Sequence, residues 1–420
     1  MTDTRLRPFI AASGLSNLAD GVAIVAWAWL ASLLTRDPLL TATMPVALRL
    51  PWVLFAIPAG LVTDRADRRH LILCVDCVRM ADFAVAAVFL WLALLLRPAP
   101  DEGLSSPVLF AGLMCAALSV AIAEVFRDNA AQTMLPAIVP PEKLERANGR
   151  LWSVELVGSA LIGPALGAWL VAAFLPGPFL LNAVCFALSV LLMLRPTGGF
   201  RPDPRPRNWR AELLEGWAFL CAAPTLRLLA VVTGIWNLLH QMVVIALILH
   251  VQENLGLGAR AYGLFLAAGA VGGIVGGLLA EWVIAAIGPG RAAQWMTAAS
   301  GVAFAAIPLA PDGWTLALVF AGFELTGLIW NTVSVSYRQR AIPDALLGRV
   351  NSLYRLLAWG MMPVGLVLSG VAVRVADGPV SREAALVTPF WIAAAGALLL
   401  TAAAWRGLGR GFGVAVTRRR

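Results

Sequence analysis

Long apolar runs separated by short polar breaks repeat from one end of the chain to the other. Twelve runs are long enough to cross a bilayer as helices. In the first half they cover 9–35, 39–63, 71–96, 107–127, 151–175 and 179–195; in the second, 225–250, 262–287, 294–310, 314–337, 351–375 and 386–405. The breaks differ in charge. The one from Gly60 to His70 holds Asp64, Arg65, Asp67, Arg68 and Arg69 between two apolar runs, so it must be a short loop at one membrane face. Arginines on short loops belong in the cytoplasm, and most of the 32 Lys and Arg recur on the side of this loop. The pattern therefore predicts an all-α polytopic membrane protein of twelve transmembrane helices with both termini cytoplasmic.

Composition strengthens this picture. Of 420 residues 60% are hydrophobic and 13% charged, about half the charge of a soluble domain, and the mean hydropathy is +0.80. The net charge of +8 does not indicate nucleic acid, because the basic residues are spread over alternate loops. Cys74-x-x-Cys77 has a metal-ligand spacing, but no second pair completes a site, so no metal and no cofactor are expected.

The apolar runs form two copies. Ala137 to Asn148 lies over Arg340 to Asn351, matching Pro140 with Pro343, Leu144 with Leu347, Arg146 with Arg349 and Asn148 with Asn351. Nearer the start of each half Asp20 falls over Asn237 and Asp64 over Glu281. Between the copies, Pro196, Pro202, Pro204 and Pro206 exclude a helix, and Trp209 to Cys221 turns amphipathic. That stretch reads as a helix on the inner membrane surface or as a plain linker helix. Three parts are expected: a six-helix bundle over 1–195, a cytoplasmic linker over 196–224, and a second six-helix bundle with a basic tail over 225–420.

Gly60-x-x-x-Asp64-Arg65-x-x-Arg68-Arg69 resembles the loop between the second and third helices of major facilitator superfamily (MFS) transporters, with Asp67 where that pattern has glycine. Asp20-Gly21, Arg127 to Pro136, Pro140 to Asn148, Ile162 to Gly167 and Glu215-Gly216 are similar to stretches of the bacterial efflux branch that holds enterobactin exporters and macrolide or multidrug efflux proteins. The resemblance implies two pseudo-symmetric bundles and alternating access. It also implies a conformational lock at Gly60, Asp64, Arg65, Arg68 and Arg69. The fifth run holds Gly158, Gly163, Pro164 and Gly167, which resemble the fifth-helix signature of drug–proton antiporters; ordinary small-residue packing is the alternative. The expected protein is a secondary exporter of small hydrophobic or amphipathic molecules (a drug, siderophore or secondary metabolite), working as a monomer in the bacterial inner membrane. An importer or a lysophospholipid flippase on the same fold is the alternative.

Ionisable residues inside spans point to function. Asp20, Glu124 and Glu324 are candidates for proton coupling, with Glu155 in reserve, because a carboxylate in a dry cavity can take up and release a proton near neutral pH. The first, fourth, seventh and tenth helices line the cavity in the superfamily, which implies a substrate cavity of Asn17, Asp20, Trp27, Asn237, His240, Gln241, Phe323, Glu324 and Asn331. Trp29, Trp236 and Trp330 could add aromatic surface. Asp76, Arg79 and Asp82 repeat on one face of the third helix and can partly satisfy each other. Arg49 and Arg355 are expected as buried bases needing an acid. Arg127 reads as the cytoplasmic end of the fourth span, so the mid-span arginine of the antiporter pattern is missing. An enzyme is excluded: the only histidines are His70, His240 and His250, and no His-Glu-x-x-His or Gly-x-Ser-x-Gly exists. Without an ATP-binding motif, energy must come from a gradient.

Overall fold

The computed structural model describes residues 2–63, 65–92, 99–140, 144–196, 198–200 and 209–412. Among them every element is helical, apart from one isolated bridge between Asp377 and Val380. The first half comprises α1 (Thr2–Leu34), α2 (Pro38–Leu54), α3 (Ala56–Thr63), α4 (Arg68–Leu92), α5 (Pro107–Ile138), α6 (Leu144–Glu155), α7 (Gly163–Ala173) and α8 (Gly177–Met193). A π-helical segment, Leu156–Ile162, joins α6 to α7. The linker helix is α9 (Trp209–Ala222). The second half holds α10 (Pro224–Leu249), α11 (Ala259–Ile287), α12 (Pro289–Ala306), α13 (Gly313–Ala341), α14 (Asp344–Trp359), α15 (Met361–Ala376) and α16 (Arg382–Gly411).

Each of the twelve apolar runs is helical over most of its described residues. Among the described residues nine helical stretches have the length and apolarity to cross a membrane. A tenth is α2 with α3, which meet at a 53° bend. The bend has a local cause. Pro58 has no N–H for the Leu54 carbonyl and its ring crowds that turn, so the helix breaks at Phe55, whose own amide bonds the Pro51 carbonyl. The other two runs are α4, which carries Asp76, Arg79 and Asp82, and α8, which has 17 residues. Helix starts follow capping chemistry: Asp37 accepts from the Leu39 and Leu40 amides, Asp312 from Thr315 and Ser381 from Ala384.

The chain forms two compact units. The first is Met1–Arg205 with Leu257–Ala267; the second is Pro206–Gly256 with Ala268–Arg420. In the first unit α1 packs along α7 and α8, and α4 along α5 and α8. Phe9, Ile72, Met134, Leu135, Met193 and Phe200 bury one end of this unit. In the second, α10 packs on α15 and α16, and α12 on α13 and α16. Leu92, Val108, Leu278, Trp314 and Leu318 stand more than half exposed on outer faces, the apolar surface that a bilayer requires.

Helix α9 is docked protein rather than a free surface helix. Gly216 sits against Arg349 and Leu353 of α14, Glu215 pairs with Arg349, and Leu220 is buried with Leu226, Ile342 and Val350. Leu214 and Trp217 face outward.

Candidate functional site

The first unit buries a network of charge among α1, α4 and α5. Arg79 of α4 has no exposed surface. Its Nη2 donates to Asp20 of α1 and lies 3.8 Å from Glu124 Oε2 of α5. Nη1 reaches Ser16 Oγ at 3.4 Å, and the guanidinium carbon stands 4.2 Å above the Phe186 ring. One cation therefore serves two carboxylates. Asp128 lies one turn beyond Glu124 on the same face of α5, within electrostatic reach of Asp20, Arg79, Arg127 and Glu155. Arg49 also acts electrostatically on Glu124, and Arg127 on Asp128.

A second pair lies beside it. Arg127 Nε donates to Asp76 Oδ1 at 2.9 Å, and Ser189 Oγ of α8 donates to Asp76 Oδ2 at 2.7 Å. Arg127 Nη2 reaches the Ala12 carbonyl at 3.3 Å. Asp76 and Arg79 bond to neighbouring helices and act on each other along α4 only through space, because residues three apart on one face both point across the helix interface. Asp82 meets Ser119 of α5. Helix α5 continues past Arg127 to Ile138, about 16 Å further at 1.5 Å per residue. Asp128, Asn129 and Thr133 lie on this continuation. Two of these bond within the helix, Asn129 to the Val125 carbonyl and Thr133 to Asn129.

The backbone at Asp20 is fixed by contact with the fifth span. A Cβ on Gly21 would come within 2.6 Å of the Ser159 carbonyl oxygen, and one on Gly163 within 2.6 Å of Gly21 Cα. The π-helical segment follows from Pro164, which has no amide for a regular helical bond; the Gly163 amide instead bonds five residues back, to Gly158. Gly167 continues the seam against Val22.

In the second unit His240 Nε2 of α10 lies 3.1 Å from Glu324 Oε1 of α13. Trp236 and Phe323 flank the imidazole, with centroids 5.0 and 5.1 Å away. Asn237 is buried and donates to the Ala358 carbonyl at 2.9 Å, unlike its repeat counterpart Asp20. Gln241 is buried and Asn331 exposed.

In the charged loop, Asp64 lies outside the described residues. The residue that departs from the resembled pattern turns out to hold the loop. Asp67 accepts from the His70 amide at 3.1 Å, capping α4, and from the Phe200 amide at 3.0 Å. Burial opposes its charge, but these two amides and His70 hold its carboxyl below the usual value. Arg69 donates to the Met193 and Leu194 carbonyls at the end of α8. A cap position three residues before His70 was the available signal for Asp67.

Comparison with known proteins places the chain among transporters. Residues 2–407 match the MFS_3 family, described as transmembrane secretion effectors. The chain belongs to that family. As an MFS transporter it is a multi-pass membrane protein that carries a small molecule and is not an enzyme. It is 25% identical over 401 residues to "Multidrug efflux pump Tap" of Mycolicibacterium fortuitum, covering 88% of this chain and 90% of that protein. It is 24% identical to "Macrolide efflux protein A" of Streptococcus pyogenes, covering 77% and 78%. Its fold matches the crystal structure of a bacterial homologue of the iron transporter ferroportin with a TM-score of 0.73 and 17% identity, over 97% of this chain and 98% of that one.

Other candidates of this MFS chain sit differently from expectation. Trp27 has no exposed surface and packs against Phe83 and Phe179, so it is core of the first unit. Phe323 is likewise buried, among Phe304, Phe320 and Trp236. Trp29 packs on Tyr262, and Trp330 is buried in the second unit. Asn17 is half-buried and bonds its own helix at Ser13. Arg49 and Arg355 are exposed rather than buried; Arg355 stacks 4.1 Å over Trp359.

Proposed function

We propose that the chain exports small hydrophobic or amphipathic molecules across a bacterial inner membrane in exchange for protons, as a monomer with both termini cytoplasmic. The reading is carried by one observation: Asp20 and Glu124 share the single guanidinium of Arg79. In a low-dielectric interior the two carboxylates compete for that guanidinium. A proton arriving on Asp20 leaves Arg79 to Glu124; a proton leaving restores the first pair. The exchange moves a buried charge between α1 and α5, which can bias two six-helix bundles between two orientations. Asp128 and Glu155 extend the proton route along α5 and the fifth span. The relation to efflux pumps supports the outward direction of transport. The arginine-rich loops support the orientation.

Efflux of a fluorescent cationic dye from cells expressing the chain tests this reading. Efflux that collapses with an uncoupler in the native chain, and is lost in Asp20→Asn, is the expected result. Dye efflux that survives the uncoupler overturns proton coupling. No efflux from well-expressed protein overturns the substrate class and turns the search to a dedicated metabolite, siderophore or lysophospholipid carrier.

A further inference from the structure

Three rings of the second unit share nearly one orientation. The centroids of Trp236, His240 and Phe323 stand 5.0, 5.1 and 5.9 Å apart, with planes 28°, 30° and 33° from one another. These are offset-stacking distances. Phe323 is buried, while Trp236 and His240 are partly exposed. The rings form a platform with a carboxylate at one side, Glu324 Oε1 lying 3.1 Å from His240 Nε2. Helix α11 backs that carboxylate: a Cβ on Gly269 would stand 3.0 Å from Glu324 Cγ.

Gly327 of α13 sets where the largest ring lies. A Cβ there would stand 3.1 Å from Trp236 Cη2 and 3.2 Å from Cζ2. Outside its own helix it would meet nothing else within 4 Å among the described residues. Carbon atoms pack best at about 3.5–4.0 Å, so the indole rests on α13 where a side chain is missing. Other glycines of this unit answer to backbone instead. Cβ atoms on Gly272 and Gly276 would run into the Ala321 and Leu325 carbonyl oxygens. Those two pack helices; Gly327 seats a ring. The repeat register of Pro140 and Pro343, carried back along both helices, places Gly327 over Glu124. The first unit has a carboxylate where the second has room for an indole.

We propose that Gly327 is a specificity-determining residue of this site, seating Trp236 in the ring platform so that flat aromatic cations are preferred to bulky ones of equal charge. The inference rests on the reading of the chain as an exporter of amphipathic molecules. A flat cation can cover Trp236 and His240 together while its charge meets Glu324. A cation with rings splayed around a centre reaches the carboxylate but not the platform. A methyl at position 327 shifts the indole by a few tenths of an ångström and tilts the platform. The fold tolerates this, because the indole is partly exposed and can yield, and because alanine favours a helix over glycine.

The test measures binding of ethidium, a flat aromatic cation, and of tetraphenylphosphonium, a splayed one, to the full-length chain in neutral detergent by titration calorimetry. The native chain should bind ethidium more tightly. Gly327→Ala should weaken ethidium about fivefold, the worth of one aromatic stack, and leave tetraphenylphosphonium unchanged. Trp236→Phe supplies the second arm, since its shorter ring clears the methyl. In that background, adding Gly327→Ala should cost ethidium nothing further. Equal weakening of both cations by Gly327→Ala, or the same fivefold loss in the Trp236→Phe background, overturns the proposal. So does a native chain that binds no ethidium or prefers tetraphenylphosphonium. If ethidium binds as expected but cells expressing the native chain do not export it, the export reading falls and the assignment of Gly327 stands.

Discussion

Arg127 of α5 donates to Asp76 of α4 at 2.9 Å, and the two side chains are 4% and 0% exposed. Asp76 spends its second oxygen on Ser189. Removing one member of such a pair strands the other charge, at a cost of about 3–5 kcal/mol. Asp76→Asn and Arg127→Gln should each lower the melting midpoint of the purified protein by about 5 °C or more. The double variant Asp76→Leu/Arg127→Met should recover most of the loss, since it leaves no lone charge. Single variants that melt with the native protein would show that the pair is not structural.

The neighbouring site should separate from it. Asp20 and Glu124 are partly exposed, at 17% and 24%, and share Arg79. Asp20→Asn and Glu124→Gln should leave the melting midpoint within about 2 °C of the native value, yet abolish uncoupler-sensitive efflux. Efflux driven by a substrate gradient alone should persist in both. Unchanged coupling in both variants would remove this site from the proton pathway.

The sequence shows the repeated helices because length and apolarity are properties of single runs, and the capping residues Asp37, Asp312 and Ser381 mark starts by local chemistry. The charged pairing is not local. Nothing in the spacing of Asp76, Arg79 and Asp82 says which helix faces them, so the hydrogen bonds to Asp20 and Arg127 are not legible from it. Helix α5 runs on past Arg127 because Asn129 and Thr133 are satisfied by their own helix turns, which composition does not show. Trp27 looks like cavity lining because an aromatic residue near Asp20 fits a pocket and a core equally well; only the positions of Phe83 and Phe179 decide.

The seam between α1 and the fifth span makes a steric prediction. Gly21→Ala and Gly163→Ala each put a methyl where backbone atoms stand at 2.6 Å, so backbone must shift, an overpacking cost of about 1–3 kcal/mol. Both should reduce efflux and folded yield in membranes. Gly60→Ala, in the last turns of α3 before the charged loop, meets nothing within 4 Å and should fold normally. If Gly60→Ala folds but loses transport, Gly60 acts in the conformational change rather than in packing. Normal yield and efflux in both seam variants would contradict the close approach.

Asp67 gives a pH dependence whose sign is fixed by its partners. The His70 and Phe200 amides favour the carboxylate in the folded chain. A carboxyl held below its ordinary value of 3.8 adds stability that is present above that value. The stability is lost as pH falls through the lower folded value. The native protein should therefore lose melting temperature more steeply than Asp67→Asn on acidification below about pH 4. Parallel curves would show that the carboxylate does not anchor the loop to Phe200.

The His240–Glu324 pair should govern substrate recognition, given its place between Trp236 and Phe323. A half-buried carboxylate beside aromatic rings suits an organic cation, by charge-assisted hydrogen bonding and by cation–π attraction. Glu324→Gln should raise the cationic dye concentration for half-maximal efflux about tenfold, the effect of one lost charged hydrogen bond. Efflux of a neutral substrate should change little, and uncoupler sensitivity should stay intact, because Asp20, Arg79 and Glu124 are untouched. Trp236→Ala should weaken both substrate kinds, since the ring offers a face to either. If Glu324→Gln instead abolishes uncoupler sensitivity with dye affinity unchanged, Glu324 belongs to the proton pathway, and the second unit, not only the first, carries the coupling.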